Sequence, residues 1–299
     1  MNGILNVLKP PGMTSHDVVS IIRKRLKVKK VGHAGTLDPN AAGVLPICIG
    51  RATKVSQYLI DSKKEYRVEL TLGLETNTED IYGTVINRSP VISTEGEIRE
   101  TILSFVGTYE QVPPMYSAIR VKGERLYKLA RKGIEVKRKP RTVTIYSIDI
   151  IDIRCNKAMF DVSCSKGTYI RTLCKDIGNV LGCGGTMSFL LRVKSGGFGL
   201  ETSTTMEELL ETERVEDLLL PLDFPLGHIP KVVVKPASVK QALNGNNIYS
   251  YYSTNDEEIS SGTKVRIYIK KRIIGLGVAK RDSTGRNYIK FLRLLLERE

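Results

Sequence analysis

One histidine and one carboxylate lie five residues apart, His33 and Asp38, in a 14-residue stretch with three glycines and one proline, Gly32 to Leu45. Glycine and proline at this density exclude a regular helix or a central strand and predict a tight loop. Asp38 precedes Pro39, which favours an extended or turn conformation that directs the carboxylate outward. Such an aspartate can act as a nucleophile or as an electrostatic partner of a reacting group. An Asp-Pro turn without chemistry is the common alternative.

The stretch reads Gly-His-Ala-Gly-Thr-Leu-Asp-Pro-Asn-Ala-Ala-Gly-Val-Leu. It resembles, nearly residue for residue, the catalytic loop G-H-x-G-T-L-D-P-x-A-x-G-V-L of the TruB family, the bacterial tRNA pseudouridine synthases that act on the T loop. A match of this length is far more specific than a lone glycine motif. The resemblance implies that Asp38 is the catalytic aspartate and that His33 contacts the RNA substrate.

Tyr66 lies at the start of a segment, residues 65–74, in which apolar and polar side chains alternate as in a strand. On this pattern alone it is a core tyrosine with a hydrogen-bonded hydroxyl. The string Lys-Glu-Tyr-Arg-Val at 64–68 resembles the family's K-x-Y-x-V-like string. The resemblance implies that Tyr66 is the active-site tyrosine, whose ring stacks on the target uracil.

Two further motifs occur in the family's order. Residues 164–173, Cys-Ser-Lys-Gly-Thr-Tyr-Ile-Arg-Thr-Leu, resemble C-S-x-G-T-Y-I-R-x-L. This match places Arg171 against the catalytic aspartate and makes Tyr169 a candidate substrate contact. Residues 189–198 resemble x-L-R-R-T-x-x-G-x-F, which aligns Leu190 with a leucine that lines the family's pocket.

Weaker matches add two candidates and two departures. Lys9 matches the lysine of a Lys-Pro pair that supports the family's catalytic loop, and we group it with the RNA-binding residues. Asp80 is the retained aspartate of a T-D-T-x-D-x-x-G motif and is expected to contact RNA or the catalytic loop. Asn77 replaces the first aspartate of that motif. Leu191 replaces the first arginine of L-R-R-T, which puts in doubt a phosphate contact usually made there.

The implied reaction breaks the N1–C1′ bond of a uridine, turns the uracil and joins C5 to C1′, without a cofactor. Asp38 would be the nucleophile or a ribose-activating carboxylate; attack at C1′, abstraction through a glycal and attack at C6 all remain open. Arg171 would keep Asp38 ionised, because a neighbouring cation favours the charged carboxylate. The target base must be flipped out, and His33 would fill the gap or stack on a neighbouring base.

The resemblance implies an α+β fold, with a large mixed, mainly antiparallel sheet flanked by helices and a small C-terminal PUA-like β-barrel. Local patterns predict the elements that position the loop. These are a strand at residues 3–9, a helix from Thr14 or Ser15 to about Leu26, the strand at 65–74, and a helix capped by Thr168.

A dense basic insert spans residues 120–141, with ten basic and two acidic side chains in 22 positions. This density, with Tyr116 and Tyr127 interleaved, is typical of a segment that follows RNA phosphates. We expect a short helix over 123–131 and then a strand-like arm; a solvated basic helix is the alternative. In the family the corresponding insert closes over the T arm like a thumb. The RNA-binding candidates here are Arg120, Lys122, Arg125, Lys128, Arg131 and Lys132.

The whole chain is basic, with 46 Lys and Arg against 32 Asp and Glu, which favours a polyanionic partner. Five cysteines without Cys-x-x-Cys spacing and three scattered histidines argue against disulfides and zinc. We therefore expect small buried cysteines and no metal, and the reaction implied by the resemblance needs no cofactor. No apolar run reaches the ~18 residues of a membrane span, and residues 1–10 do not resemble a signal peptide. We expect a cytoplasmic monomer that binds tRNA and no membrane.

Prolines at 221, 225 and 230 indicate a domain boundary near Ile229. We expect a catalytic pseudouridine synthase domain at 1–229 and a PUA-like RNA-binding domain at 230–299, where 14 basic residues stand against six acidic ones. The sequence leaves two alternatives open. One is a non-catalytic RNA chaperone that has kept the fold. The other is an RNA-guided synthase of the dyskerin type; the basic insert and the absence of basic terminal extensions favour the stand-alone enzyme.

Overall fold

The computed structural model describes residues 1–121, 123–249, 251–253 and 259–296. Its strands are β1 (Gly3–Lys9), β2 (Val31–His33), β3 (Ala42–Ile49), β4 (Lys64–Leu72), β5 (Leu74–Thr76), β6 (Val85–Arg88), β7 (Gly107–Gln111), β8 (Arg120–Val121), β9 (Glu124–Arg125), β10 (Arg141–Arg154), β11 (Lys157–Cys164), β12 (Gly185–Ser195), β13 (Phe198–Gly199), β14 (Lys231–Val234), β15 (Tyr251–Ser253), β16 (Lys264–Ile269), β17 (Arg272–Arg281) and β18 (Asn287–Leu294). Its helices are α1 (Ser15–Leu26), α2 (Ser56–Ile60), α3 (Glu95–Ser104), α4 (Leu126–Arg131), α5 (Ile170–Val180), α6 (Met206–Glu211) and α7 (Val239–Leu243).

The start of α1 is set by its own side chains. The Thr14 hydroxyl accepts a hydrogen bond from the Asp17 backbone N–H at 3.1 Å, and the Asp17 carboxylate accepts one from the Thr14 N–H at 2.9 Å. This capping box satisfies two N–H groups that lack helical partners. The predicted helix is therefore confirmed, with Thr14 as its N-cap. Its buried face consists of Ser15, Val18, Val19 and Ile22.

The main sheet has the strand order β1-β3-β12-β4-β11-β10-β7, with β2 paired to β3 and β13 to β12. Strands β3 and β12 run parallel, whereas the other described pairs of this sheet are antiparallel. Apolar side chains of α1, α3, α5 and α6 join those of the strands in one core. The α+β class predicted from the sequence is thus confirmed.

Gly43 allows β3 and β12 to meet. It lies opposite Arg192 of β12 with φ at +123°. A Cβ atom there would be 2.3 Å from the Arg192 carbonyl oxygen. Only glycine fits this approach, so the stretch from Gly32 to Leu45 passes directly into the sheet.

The predicted cap of α5 is wrong. Its N-cap is Tyr169, which makes no side-chain capping bond. The Thr168 hydroxyl instead donates to the Ser165 carbonyl at 3.0 Å, within the preceding turn. A local turn bond of this kind competes with helix capping for short polar side chains.

Two other predicted boundaries also shift. The helix expected at 123–131 begins only at Leu126, because Arg120 and Arg125 pair as a short β8–β9 hairpin. The strand expected at 65–74 ends at Leu72, because Gly73 turns the chain with φ at +79°. Both turns use a glycine that the periodic pattern had passed over.

The cysteines largely follow expectation. Cys48, Cys164, Cys174 and Cys183 are buried, whereas Cys155 is exposed in the turn between β10 and β11, with φ at +53°. In the described part of the chain, no group of three or more His, Cys, Asp or Glu side chains comes together as a metal site.

Strands β14 to β18 form a second sheet in the order β15-β14-β16-β17-β18. Ile248 and Ile289 exchange backbone hydrogen bonds of 2.9 and 2.8 Å, so the segment before β15 also meets β18 and the sheet curls into a small barrel. This barrel packs on the main part of the protein through a shared apolar cluster. Its members are Val55, Leu226, Ile229, Tyr268, Ile273, Leu276 and Leu295. Across residues 1–121, 123–249, 251–253 and 259–296, no helix is long and apolar enough to cross a membrane.

Candidate active site

The centre of the site is an ion pair between the loop that joins β2 to β3 and the first turn of α5. Arg171 Nε lies 2.8 Å from Asp38 Oδ2, and Arg171 Nη2 donates to Asp38 Oδ1 at 3.1 Å. The arginine side chain is 5% exposed and the aspartate 34%. A buried, two-point pair fixes the carboxylate in orientation while leaving it open to a ligand.

Arg171 also gathers other segments around Asp38. Its Nη1 donates to the Thr78 carbonyl and its Nη2 to the Tyr116 carbonyl, both at 3.0 Å. Asp80 Oδ2 lies 3.9 Å from Nη1. The guanidinium is thereby satisfied on all sides, as a buried cation must be.

The turn between β5 and β6 carries Asp80, and an unusual residue fixes that turn. Glu79 is buried with φ at +64°. Its carboxylate accepts hydrogen bonds from Thr172 at 2.7 Å and from Lys175 at 3.1 Å, both on α5. Asn77 Oδ1 accepts from the Thr84 N–H at 2.9 Å, a contact that aspartate would make equally well, so this departure keeps the turn intact.

Tyr66 lies on β4 and packs against the main core. Burial raises the pKa of its phenol, and the nearby Arg192 guanidinium partly opposes this shift. The hydroxyl therefore stays protonated at neutral pH and can donate a hydrogen bond. The pattern-based expectation that the ring points to the apolar side is confirmed.

Arg192 is a residue of this site that the sequence analysis missed. It is 1% exposed and donates to the carbonyls of Val44 at 2.7 Å, Gly35 at 3.2 Å and Thr36 at 3.4 Å. It therefore holds the start of the loop that joins β2 to β3 and the strand that follows this loop. The signal was the alternation along β12, which puts residue 192 on the same buried face as Leu190.

Lys9 supports the loop from the other side. It is fully buried, and its ammonium donates to the carbonyls of Pro39 at 2.9 Å, Pro10 at 2.8 Å and Met13 at 2.7 Å. Burial lowers its pKa to about 8, although the negative charge of Asp38 opposes the shift. All three ammonium protons are used, so its grouping with the RNA-binding residues is wrong for lack of exposure. The contacts instead fit a role in supporting the loop.

Tyr169, Leu190 and His33, the other predicted substrate contacts, differ in their surroundings. Gln111 brackets the Tyr169 backbone, accepting from its N–H at 2.8 Å and donating to its carbonyl at 3.1 Å. Leu190 is buried on β12. His33 ends β2; burial lowers its pKa, and the Arg192 charge adds to this, so the neutral ring prevails at neutral pH.

The basic insert starts beside the ion pair. The Tyr116 carbonyl binds Arg171, and the Ser117 carbonyl accepts from the Tyr127 N–H at 3.1 Å. Arg131 lies over the Tyr127 ring, 5.6 Å from its centroid. Lys122 lies outside the described residues. The remaining candidates are all exposed: Arg120, Arg125, Lys128, Arg131 and Lys132.

The fold is similar to solved structures over nearly its whole length. A chain in the crystal structure of a Cbf5-Nop10-Gar1 complex is 29% identical with a TM-score of 0.75, covering 99% of this chain and 85% of that one. A chain in the structure of an H/ACA RNP bound to a substrate RNA containing 2′-deoxyuridine is 28% identical with a TM-score of 0.74, covering 99% and 86%.

Curated relatives and family models agree. The tRNA pseudouridine synthase B of Alkaliphilus oremlandii (strain OhILAs) is 62% identical over all of both chains. That of Clostridium kluyveri is 51% identical over 94% of this chain and 96% of the relative. A TruB family pseudouridylate synthase N-terminal domain matches residues 23–170, and a tRNA pseudouridylate synthase B C-terminal domain matches 171–226. Fold and site thus define an enzyme of the pseudouridylate synthase class. Within this class, the chain belongs to the TruB family.

Proposed function

We propose that this protein converts uridine to pseudouridine at position 55 in the T loop of tRNA, with Asp38 as the catalytic carboxylate. The observation that carries the proposal is the partly open Asp38 side chain held at two points by the buried Arg171. A carboxylate that is charged and fixed in orientation can attack, or take a proton from, a nucleoside without reorganising first. The shared name of the curated relatives supports the same reaction.

Tyr66 gives the detached uracil a surface and a hydrogen-bond donor. The phenol is protonated at neutral pH, as an ordinary tyrosine is, and burial raises its pKa further. Its ring offers a stacking face while the base turns from N1 to C5 attachment. A uridine inside a helical stack cannot reach this depth, so the target nucleotide is flipped out. We assign to the neutral ring of His33, at the end of β2, the role of filling the gap that the flipped base leaves in the RNA.

The rest of the chain binds the RNA. We assign residues 1–229 to catalysis and 230–299 to RNA binding. The exposed cations of the basic insert, which follows Tyr116 at the ion pair, would take the phosphates of the T arm. We further propose that the enzyme works in the cytoplasm, as a monomer.

The stand-alone enzyme is favoured over the two alternatives. The curated relative from Alkaliphilus oremlandii, at 62% identity, is named as a tRNA enzyme. The similar chain in the Cbf5-Nop10-Gar1 complex is only 29% identical. A non-catalytic chaperone would have no need of a charged Asp38–Arg171 pair, which costs desolvation free energy.

The position is tested with an unmodified tRNA transcript and the purified protein alone. Carbodiimide labelling followed by reverse transcription reads out pseudouridine along the whole transcript. We expect one stop, at position 55, and none in a transcript with cytidine there. Modification at other positions would refute the T-loop assignment, and product formed only after addition of a guide RNA would favour the RNA-guided alternative.

A further inference from the structure

An aromatic pair lies on the outer surface of the C-terminal barrel, in a part of the chain that neither family model covers. Ile248 pairs with Ile289 in an antiparallel bridge, so Tyr249 and Tyr288 are the next residues to face each other. Their ring centroids are 5.2 Å apart with 28° between the planes. Because both isoleucines are fully buried, alternation directs the two tyrosines outward, and Tyr249 is 39% exposed.

Arg286 extends this pair. Its guanidinium lies 5.1 Å from the centroid of the Tyr249 ring. The residue is exposed, and among the described residues it forms no ion pair. A guanidinium held over an aromatic ring is partly ordered in advance and offers a flat cationic face. We call Tyr249, Tyr288 and Arg286 the aromatic stack.

Two exposed lysines flank the aromatic stack. Lys280 of β17 pairs with Tyr288, and Lys290 follows two positions later on the same face of β18. Within residues 230–249, 251–253 and 259–296, Asp282 is the only acidic residue. Its carboxylate accepts hydrogen bonds within its own turn. It accepts from the Thr284 hydroxyl at 2.7 Å and from the Arg286 backbone N–H at 2.9 Å. Among the described residues around the aromatic stack, Arg286, Lys280 and Lys290 outnumber Asp282, so basic side chains predominate there.

The aromatic stack is remote from the contact between barrel and main sheet. Ile273 and Leu276, near the start of β17, belong to the cluster that joins the two parts. Lys280 lies four residues after Leu276, roughly 13 Å along an extended strand. A ligand bound there leaves the docking contact undisturbed and does not occupy the Asp38 site.

We propose that the aromatic stack binds an unpaired nucleotide segment of the substrate RNA, outside the arm that enters the active site. A nucleobase would continue the stack on Arg286 or Tyr288, and Lys280 and Lys290 would take the adjoining phosphates. The proposal rests on the proposed function only for the identity of the RNA, because stacking needs none of the Asp38 chemistry.

The ring is tested by Tyr249→Leu, which keeps apolar bulk, against Tyr249→Phe, which keeps the ring. Filter binding gives Kd for three RNAs: full-length tRNA, an isolated T-arm stem-loop and a short single-stranded oligoadenylate. We expect Tyr249→Leu to weaken binding of tRNA and oligoadenylate about tenfold, in line with loss of one base–aromatic contact. Stem-loop affinity stays unchanged, and Tyr249→Phe behaves as wild type.

The charges are tested by Lys280→Gln with Arg286→Gln, which changes two exposed side chains outside the core of the barrel. The matched control is Lys271→Gln with Arg272→Gln, which removes the same charge from exposed positions at the other end of β17. We expect only the first pair to weaken tRNA binding markedly. These exposed substitutions leave the fold intact, so they decide the question even if Tyr249→Leu unfolds the barrel.

Equal affinities of the Leu and Phe variants for both tRNA and oligoadenylate would overturn the proposal. A loss confined to oligoadenylate would overturn its assignment to the substrate RNA and point to another RNA. Isomerisation of the stem-loop by wild type is measured in parallel. Its absence would refute the proposed function and leave the binding comparison standing, so the two failures are distinguishable.

Discussion

Asp38 is held in place mainly by side chains that bind the backbone beside it. The Ser15 hydroxyl accepts from the Leu37 N–H at 2.9 Å, Lys9 binds the Pro39 carbonyl, and Arg192 binds carbonyls at the start of the loop and in the strand that follows it. Each group is buried, so each would cost free energy if it lost its partner. The loop is therefore rigid before any substrate arrives.

Arg192→Lys tests this support. An ammonium cannot match the fork that reaches three carbonyls, so the loop should shift although the positive charge remains. We expect kcat on a T-arm stem-loop to fall about 100-fold with little change in KM, since a displaced catalytic group loses orientation rather than binding. The control is Arg67→Lys, in an exposed pair with Asp161, which should leave both constants unchanged. An increase in KM alone would contradict a positioning role.

The proposed reacting residues were predictable because each lies in a contiguous motif. Asp38, Tyr66 and Arg171 are candidates from strings that can be recognised without a fold. Arg192 and Glu79 were not predicted, because their roles arise from contacts between segments far apart in the chain. Lys9 shows the converse error: its motif was recognised, but only burial shows that the ammonium faces backbone carbonyls.

At the scale of elements, α5 is the part that joins the site to the turn between β5 and β6. Its first turn supplies Arg171, and the next positions hold Glu79 through Thr172 and Lys175. Asp176 follows on the same helix; burial and the negative charge of Glu79 raise the pKa of its carboxyl to about 6. The helix thus carries an electrostatic cost at neutral pH.

Asp176→Asn tests that cost. An unfolded aspartate titrates near 3.9, so between about pH 4 and 6 the folded state binds the extra proton. The contribution of this group to the free energy of unfolding therefore falls as the pH rises through that window. We expect the variant to be more stable at pH 7.5, by about 1 kcal/mol after allowance for solvent screening, and little changed at pH 4.

Calorimetric melts at both pH values check this, with Asp149→Asn on the exposed side of β10 as the control. A stability gain that is the same at pH 4 and pH 7.5 would show that repacking, not relief of a buried charge, is responsible.

Alternation and capping predicted β1, α1 and most of β4, because these elements follow from local side-chain patterns. Turn-dependent boundaries were harder to predict. The β8–β9 hairpin and the end of β4 depend on glycines at positive φ, which a pattern of apolar residues does not reveal. The parallel pairing of β3 with β12 depends on tertiary contacts across 148 positions of sequence.

At the scale of the molecule, the chain is strongly basic and a dense run of basic residues lies close in sequence to residues of the candidate active site. The formal net charge is +14, and the basic insert extends from residues that touch Arg171. In the proposed function, this cationic arm draws the RNA backbone in and leaves the Asp38 carboxylate to the target nucleoside.

Lys128→Gln with Arg131→Gln measures the contribution of the arm. If both cations contact phosphates, the slope of log K against log salt concentration should become shallower by about 1.8 on a duplex T arm. Filter binding over a range of salt concentrations gives the slope. Lys271→Gln with Arg272→Gln serves as the charge-matched control. An unchanged slope in the arm variant would show that these residues do not bind the stem.

The central claim is that Asp38 performs the chemistry. Tritium release from C5-tritiated uridine in a T-arm stem-loop tests it most directly, with wild type, Asp38→Asn and the surface control Asp161→Asn side by side. We predict release by wild type and Asp161→Asn, none by Asp38→Asn, and nearly equal RNA affinity for all three. Substantial release by Asp38→Asn would contradict the assignment of the catalytic carboxylate.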